Sequence, residues 1–462
     1  MMRIRFLPFL IMLFVLGVSG CMEQDNEAAL PQPRSLGQEF STFQPPTEPM
    51  ETTEVPGIAE PTGVISLRKA LALALMHNPE LKAFSWDVRV SEARQLQAGL
   101  WPNPELEVEV EEVGGPGARS GFDATETTIQ LSQLIELGDK SGKRVKVASL
   151  EKELAGWDYE AKRLDVFTEV TKAFIEVLAA QQRLKLTEEL LQLSEELVGT
   201  VAKRVDAGKD SPLEKTKAAV AFSNIKIQYQ KAVQNLEFTR KQLASTWTGK
   251  DPRFESVAGQ LDSLLPILSI DELTDLMVQN PDIQRWSREI EKRKAALELE
   301  KAKAISDIKV SGGIQRFNET NDNAVVFGIS IPLPISDRNQ AGKLQATYNL
   351  AKTREQQRAA QIRIQVELVK AYQALSNSYT EATELDKNVL KGAESVFEAS
   401  RTAYSQGKLD YLNVLDAQRT FFEAKAKYID ALASYHTAKA DVERLIGRPI
   451  NSETLSKNED SK

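Results

Sequence analysis

The sequence repeats itself at an offset of roughly 200 residues, and that duplication limits the possible folds more than any other feature. His77-Asn78-Pro79-Glu80-Leu81 returns as Gln279-Asn280-Pro281-Asp282-Ile283. Leu137-Gly138-Asp139-Lys140 is echoed by Ile335-Ser336-Asp337-Arg338, and Gly142-Lys143 by Gly342-Lys343. Gly208-Lys209 comes back as Gly407-Lys408, and the unit closes at Gly249 and again at Gly447. Landmarks in the same order place one repeat over 64–250 and a second over 271–450, with a linker over 251–270.

Each unit changes its hydrophobic period in the same sequence. A helix (about 66–100, then 271–304) leads into two alternating strands, expected at 104–113 and 126–136, then 306–317 and 324–334. A very long helix follows (139–206, then 338–405), then a glycine turn and a shorter helix (212–247, then 409–446). At 1.5 Å per residue a helix of about 65 residues reaches about 100 Å. The closing helices carry apolar seams at heptad spacing, such as Ala417, Phe421, Ala424, Tyr428, Ala431 and Tyr435, which predicts coiled-coil packing. A stack of that length needs the 251–270 linker as a belt at its waist.

The strands are the segments with two unlike faces. Leu106, Val108 and Val110 alternate with Glu107, Glu109 and Glu111, while Ile129 and Leu131 alternate with Gln130 and Ser132. Val325, Phe327, Ile329 and Ile331 oppose Val326, Gly328 and Ser330, and Ile308, Val310 and Ile314 oppose Lys309, Ser311 and Gln315. An apolar face backed by polar groups suits a barrel wall with lipid outside and water inside; a soluble hairpin resting on a core is the competing account. Four strands cannot close a barrel, and lipid tolerates no open edge, so membranous strands must be pooled among copies. Three copies bring twelve strands, within the range of known barrels. Trp101 and Phe122 are then interface aromatics.

The N-terminus points to export. Arg3 and Arg5 precede an apolar core from Phe6 to Leu16, too short to span a bilayer, so 1–20 reads as a signal peptide. Val18-Ser19-Gly20-Cys21 resembles a bacterial lipobox, and Cys21 is the only cysteine in the chain, so no intrachain disulfide exists and acylation of Cys21 gives it a role. Met22 in place of aspartate after that cysteine permits sorting to the outer membrane. The proline-rich stretch 21–63 reads as a lipidated tether or packed coil, and 451–462 as a polar tail. The net charge of −8 argues against nucleic acid as partner.

The duplicated helix–strand–strand–helix–turn–helix unit resembles the TolC-type outer-membrane efflux family over 64–450. Ala403-Tyr404-Ser405-Gln406-Gly407, continued through Leu412-Asn413-Val414-Leu415-Asp416-Ala417-Gln418-Arg419, is similar to that family's periplasmic tip motif. Asn78-Pro79, Trp101-Pro102-Asn103-Pro104 and the stretch Gln130 to Gly138 are most like the branch serving cobalt–zinc–cadmium resistance pumps. The resemblance implies a mainly α protein with membrane β: a homotrimer whose long helices form an α-barrel tunnel beneath a shared twelve-strand barrel. It also implies a periplasmic adaptor and an inner-membrane RND-type pump as partners.

No catalytic constellation is visible, which argues against an enzyme. His77 and His436 are the only histidines, so no Cys/His metal site can be assembled within one chain, and no cofactor is expected beyond the lipid on Cys21. By resemblance, Gly208, Lys209, Tyr404, Gly407 and Lys408 form the periplasmic tip and the adaptor's docking surface, although a plain glycine cap explains both turns as well. Asp410, Asn413 and Asp416 are gate candidates. Asp416 matches the second of two family acids, Asn413 replaces the first, and Asp410 lies one helical turn before it. Leu409 stands where the family carries an arginine, which puts a closing lock of that kind in doubt. Three copies of Asp416 around an axis would favour cations; a solvated carboxylate near a helix N-terminus is the alternative. Two readings stay open beside a metal-cation duct: a duct for drugs or other small molecules, and a lipid-anchored periplasmic coiled-coil scaffold.

Overall fold

The computed structural model describes residues 31–46 and 60–450; Cys21, the signal segment and the tail 451–462 lie outside them. In the first repeat, β1 (Gly63–Ser66) leads to α1 (Leu67–His77), α2 (Pro79–Gly99), β2 (Glu105–Glu111), β3 (Glu126–Ile135), α3 (Lys140–Asp206) and α4 (Pro212–Ser245). The linker holds β4 (Phe254–Ala258). The second repeat runs α5 (Ile270–Met277), α6 (Pro281–Ala302), β5 (Ile308–Phe317), β6 (Asp322–Ser330), α7 (Gln340–Glu384), a π turn (Leu385–Leu390), α8 (Lys391–Ser405) and α9 (Tyr411–Ile446).

The structure departs from the sequence reading at four places, three of them with a plain local cause. The leading helix of each repeat is broken in two, because Pro79 and Pro281 have no N–H and suit a helix start instead. The second long helix is interrupted by the π turn, where the Asn388 side chain bonds Glu384 at 2.6 Å; α3 runs unbroken. β6 ends at Ser330 and not near 334, since Pro332 and Pro334 cannot donate to a ladder. The counterpart of Asp139 is Asn339, not Asp337: both open their long helices in the left-handed conformation, at φ 55° and 52°. Each side chain folds over the next turn, so a Cβ three residues on would overlap its oxygen, which accounts for Gly142 and Gly342.

The asparagines before the two prolines do the same work twice. Asn78 Oδ1 accepts from Leu81 N at 3.0 Å, while its amide donates to Thr246 O at 3.0 Å, at the end of α4. Asn280 Oδ1 accepts from Asp282 N at 2.7 Å, and its amide donates to Leu445 O at 2.8 Å, near the end of α9. Each therefore caps one helix and ties it to the closing helix of its own repeat. Asn280 is fully buried. Asn280→Ala leaves buried groups unpaired and is expected to cost about 1–3 kcal/mol, read as an earlier loss of helicity on heating the detergent-solubilised protein.

Helix contacts define a layer with two free edges. Toward the sheet, α3 packs on α2 and α6, and α6 packs on α7. Toward the tip, α3 packs on α4 and α9, and α9 packs on α7, the π turn and α8. α2 and α4 thus lie along one edge, and α7 and α8 along the other. At the waist the linker binds across the layer. Gln181 of α3 exchanges hydrogen bonds with both backbone groups of Val257, and the Tyr435 hydroxyl of α9 does so with Leu265. β4 pairs in parallel with β1, a short sheet without a sequence signal strong enough to find it. Residues 31–46 lie against α3 as a packed coil: Arg34 N donates to Glu160 at 2.6 Å, and Phe40 rests 6.3 Å from Phe167. Among the described residues, no helix is long and apolar enough to cross a membrane.

Candidate functional site

Two regions remain unexplained by internal packing: the four-stranded sheet and the tip. The sheet has the order β2-β3-β5-β6, antiparallel throughout, so β2 and β6 are open edges. Its register brings the alternating residues into rows. Val108, Ile129, Ile314 and Val325 form one row, and Leu106, Leu131, Gly312 and Phe327 the next. This apolar face is uncovered: Ile314 is 51% exposed and Phe327 76%. The Phe327 ring lies over Gly312, at van der Waals distance (3.6 Å) from where a Cβ would stand. The other face is polar and internally bonded, with Gln130 donating to Glu107 at 2.8 Å and Lys309 to Glu105 at 2.7 Å. A sheet with bare apolar rows and bare backbone edges is stable only where lipid covers the rows and another strand covers each edge.

At the opposite end, both long helices stop at a left-handed glycine. Gly208 (φ 70°) and Gly407 (φ 76°) allow the next amide to reach back, Lys209 N to Arg204 O at 2.8 Å and Lys408 N to Ala403 O at 2.9 Å. A clamp ties the two turns together. Arg204 grips Asp210 with Nε at 2.8 Å and Nη2 at 3.0 Å, and Nη1 donates to Tyr404 O at 3.1 Å. The Tyr404 hydroxyl donates to Asp210 at 2.8 Å, and the guanidinium lies 4.6 Å from the Tyr404 ring centre. Arg204's bonds hold the Asp210 carboxyl below the usual carboxylate range, while burial and the Asp210 carboxylate push the Tyr404 hydroxyl up.

The structure brings some of the sequence-derived tip residues together and separates others. Tyr404 is 2% exposed, inside the clamp. Gly208, Lys209, Gly407 and Lys408 are exposed on the two turns, as are Asp410 and Asn413 at the start of α9. Asp416 is exposed and pairs with Arg419 at 2.7 Å, beside a groove of about 390 Å³ lined by Leu190, Ile225, Leu415 and Phe422. Arg204 and Asp210 escaped the sequence reading; opposite charges bracketing a turn glycine within six residues were the available signal. Among the described residues, no group of three His, Cys, Asp or Glu side chains is placed to hold a metal ion.

Comparison with known proteins supplies the context for this geometry. The chain is 34% identical over 390 residues to the cobalt-zinc-cadmium resistance protein CzcC of Cupriavidus metallidurans, covering 84% of this chain and 91% of that one. It is 24% identical to the nickel-cobalt-cadmium resistance protein NccC of Alcaligenes xylosoxydans, over 73% of this chain and 74% of the relative. The solved CmeC outer membrane channel of Campylobacter jejuni superposes with a TM-score of 0.70 at 15% identity, over 91% of this chain and 98% of that one, and so shares the fold. The model of the outer membrane efflux proteins matches twice, at 70–249 and 273–448, once in each repeat. With bare-edged strands at one end, glycine-turned helices at the other and both halves matched, the chain belongs to the outer membrane efflux protein family.

Proposed function

We propose that this protein is the outer-membrane duct of a tripartite efflux system: three copies share one twelve-strand barrel and pass heavy-metal cations passively to the outside. The observation that carries this reading is the four-stranded sheet with two open edges and an uncovered apolar face. The free edges of the helical layer agree with it. Leu213, Val220, Ile227 and Phe238 are exposed along α4, and Leu344, Tyr348, Ile362 and Val366 along α7, so unlike edges meet head to tail and close a ring. The cation cargo rests on the kinship to CzcC and NccC. Lipidation of Cys21 anchors the chain to the membrane that its strands cross. The exposed turn residues Gly208, Lys209, Gly407 and Lys408 present the docking surface for a periplasmic adaptor backed by an inner-membrane RND-type pump, and buried Tyr404 sets the spacing of the two turns.

Purified protein in a planar bilayer tests the duct directly. Stable single-channel currents from a heat-resistant trimer are expected, together with loss of zinc, cobalt or cadmium tolerance in cells lacking the chain. A detergent-free soluble monomer would sink the reading and favour the coiled-coil scaffold; loss of drug tolerance alone would reassign the cargo. Asp416 and Arg419 offset each other at the groove, and the pair is exposed enough for water to screen it. If Asp416 rings the axis, Asp416→Ala lowers cation selectivity and Arg419→Ala raises it, as reversal potentials in a salt gradient would show.

A further inference from the structure

The edges that close the ring carry enough detail to give the register of the seam between copies. On α4, Val220 and Ile227 are 57% and 55% exposed and stand seven residues apart. On the opposite edge, Val389 of the π turn and Val396 of α8 are 43% and 58% exposed, also seven apart. Two apolar pairs at heptad spacing on uncovered helices are half of a coiled-coil seam each.

Their heights agree. Val220 lies twelve residues beyond Gly208, and Val396 eleven before Gly407. Ile227 lies nineteen beyond its turn glycine, and Val389 eighteen before its own. The turns are fastened level by the Arg204–Asp210–Tyr404 clamp, and at 1.5 Å per residue each pair matches to within about 2 Å along the axis. α4 climbs from the turn as α8 descends to it, so the two helices meet antiparallel.

Charge agrees as well. α4 carries six basic side chains against two acidic ones, and Lys231, one turn beyond Ile227, is exposed and in no ion pair among the described residues. Glu384 stands level with it, each twenty-three residues from its turn, and follows Val389 by one wide π turn toward the sheet. The interruption of the second long helix thereby acquires a purpose: the wider turn keeps Glu384, Val389 and Val396 in one row.

We infer that α4 of one copy packs antiparallel on the π turn and α8 of the next, in a register that pairs Val220 with Val396, Ile227 with Val389 and Lys231 with Glu384. This inference rests on the proposed ring of copies. Because α4 and α8 lie on opposite edges of one protomer, these pairs form only between copies.

Disulfide trapping in outer-membrane preparations of the full chain tests the register. Val220→Cys with Val396→Cys, and Ile227→Cys with Val389→Cys, are expected to give covalent dimers and trimers on oxidation. The mismatched Val220→Cys with Val389→Cys is expected to give at least about tenfold less, since cysteine Cβ atoms must approach within about 4.5 Å and this pair is offset by about 10 Å. Equal or greater trapping of the mismatched pair overturns the register. So does absence of trapping in the matched pairs while the same variants still run as heat-resistant trimers, which leaves the ring itself standing. Variants and parent that are all monomeric overturn the ring, and the seam with it.

Discussion

Arginine in place of Ile314 is expected to stop assembly in the outer membrane, while arginine in place of Gln130 is expected to be tolerated. Ile314 sits mid-strand in the row Val108–Ile129–Ile314–Val325, half exposed on the apolar face. A lipid-facing arginine near the bilayer centre costs about 2–4 kcal/mol, and a barrel of three copies bears that cost about three times, which rivals the whole stability of many folded proteins. Gln130 lies on the same strand as Ile129 but points to the polar face, beside Glu107, where an arginine finds a carboxylate. Heat-resistant trimer in the outer-membrane fraction measures both. Normal trimer from Ile314→Arg would mean that this face does not meet lipid.

Asp210→Ala should loosen the tip by about 1–3 kcal/mol, because it strips the Arg204 guanidinium of its carboxylate and the Tyr404 hydroxyl of its acceptor. Lys203, Arg204 and Lys209 surround the first turn, so limited trypsin digestion there should accelerate about 5- to 150-fold if cleavage follows the open population. Tyr404→Phe keeps the ring against Arg204 and the backbone bond, and should have the smaller effect. Acid should imitate the aspartate replacement. The folded-state pKa of Asp210 lies below its unfolded value, so the clamp contributes fully above the ordinary aspartate range and fades as pH falls through the depressed folded value. Digestion rates at neutral pH that match between Asp210→Ala and the parent would leave the clamp without energetic weight.

The tip shows how far the residues alone could be read. Gly208 and Gly407 announce themselves because a left-handed turn at a helix end needs no knowledge of neighbours. Tyr404 was visible only through family likeness, and its burial was not visible at all, since Arg204 and Asp210 close on it from the other repeat. The Asp139–Asn339 correspondence is likewise hidden in the letters: two different side chains serve one backbone conformation, while Asp337 matches Asp139 in residue type alone.

Periodicity and duplication lie in the order of residues, so the two repeats, the long helices, the glycine turns and four strands with unlike faces follow from the residues alone. Those are local properties, set by 3.6- and 2-residue periods and by what proline and glycine forbid or allow. Which strands are neighbours, where the clamp closes, how the linker crosses the waist and which edges stay bare depend on packing across the whole chain. Many such pairings join residues far apart in the chain, 76 positions for Gln181 with Val257 and 200 for Arg204 with Tyr404, and only packing in three dimensions selects among them.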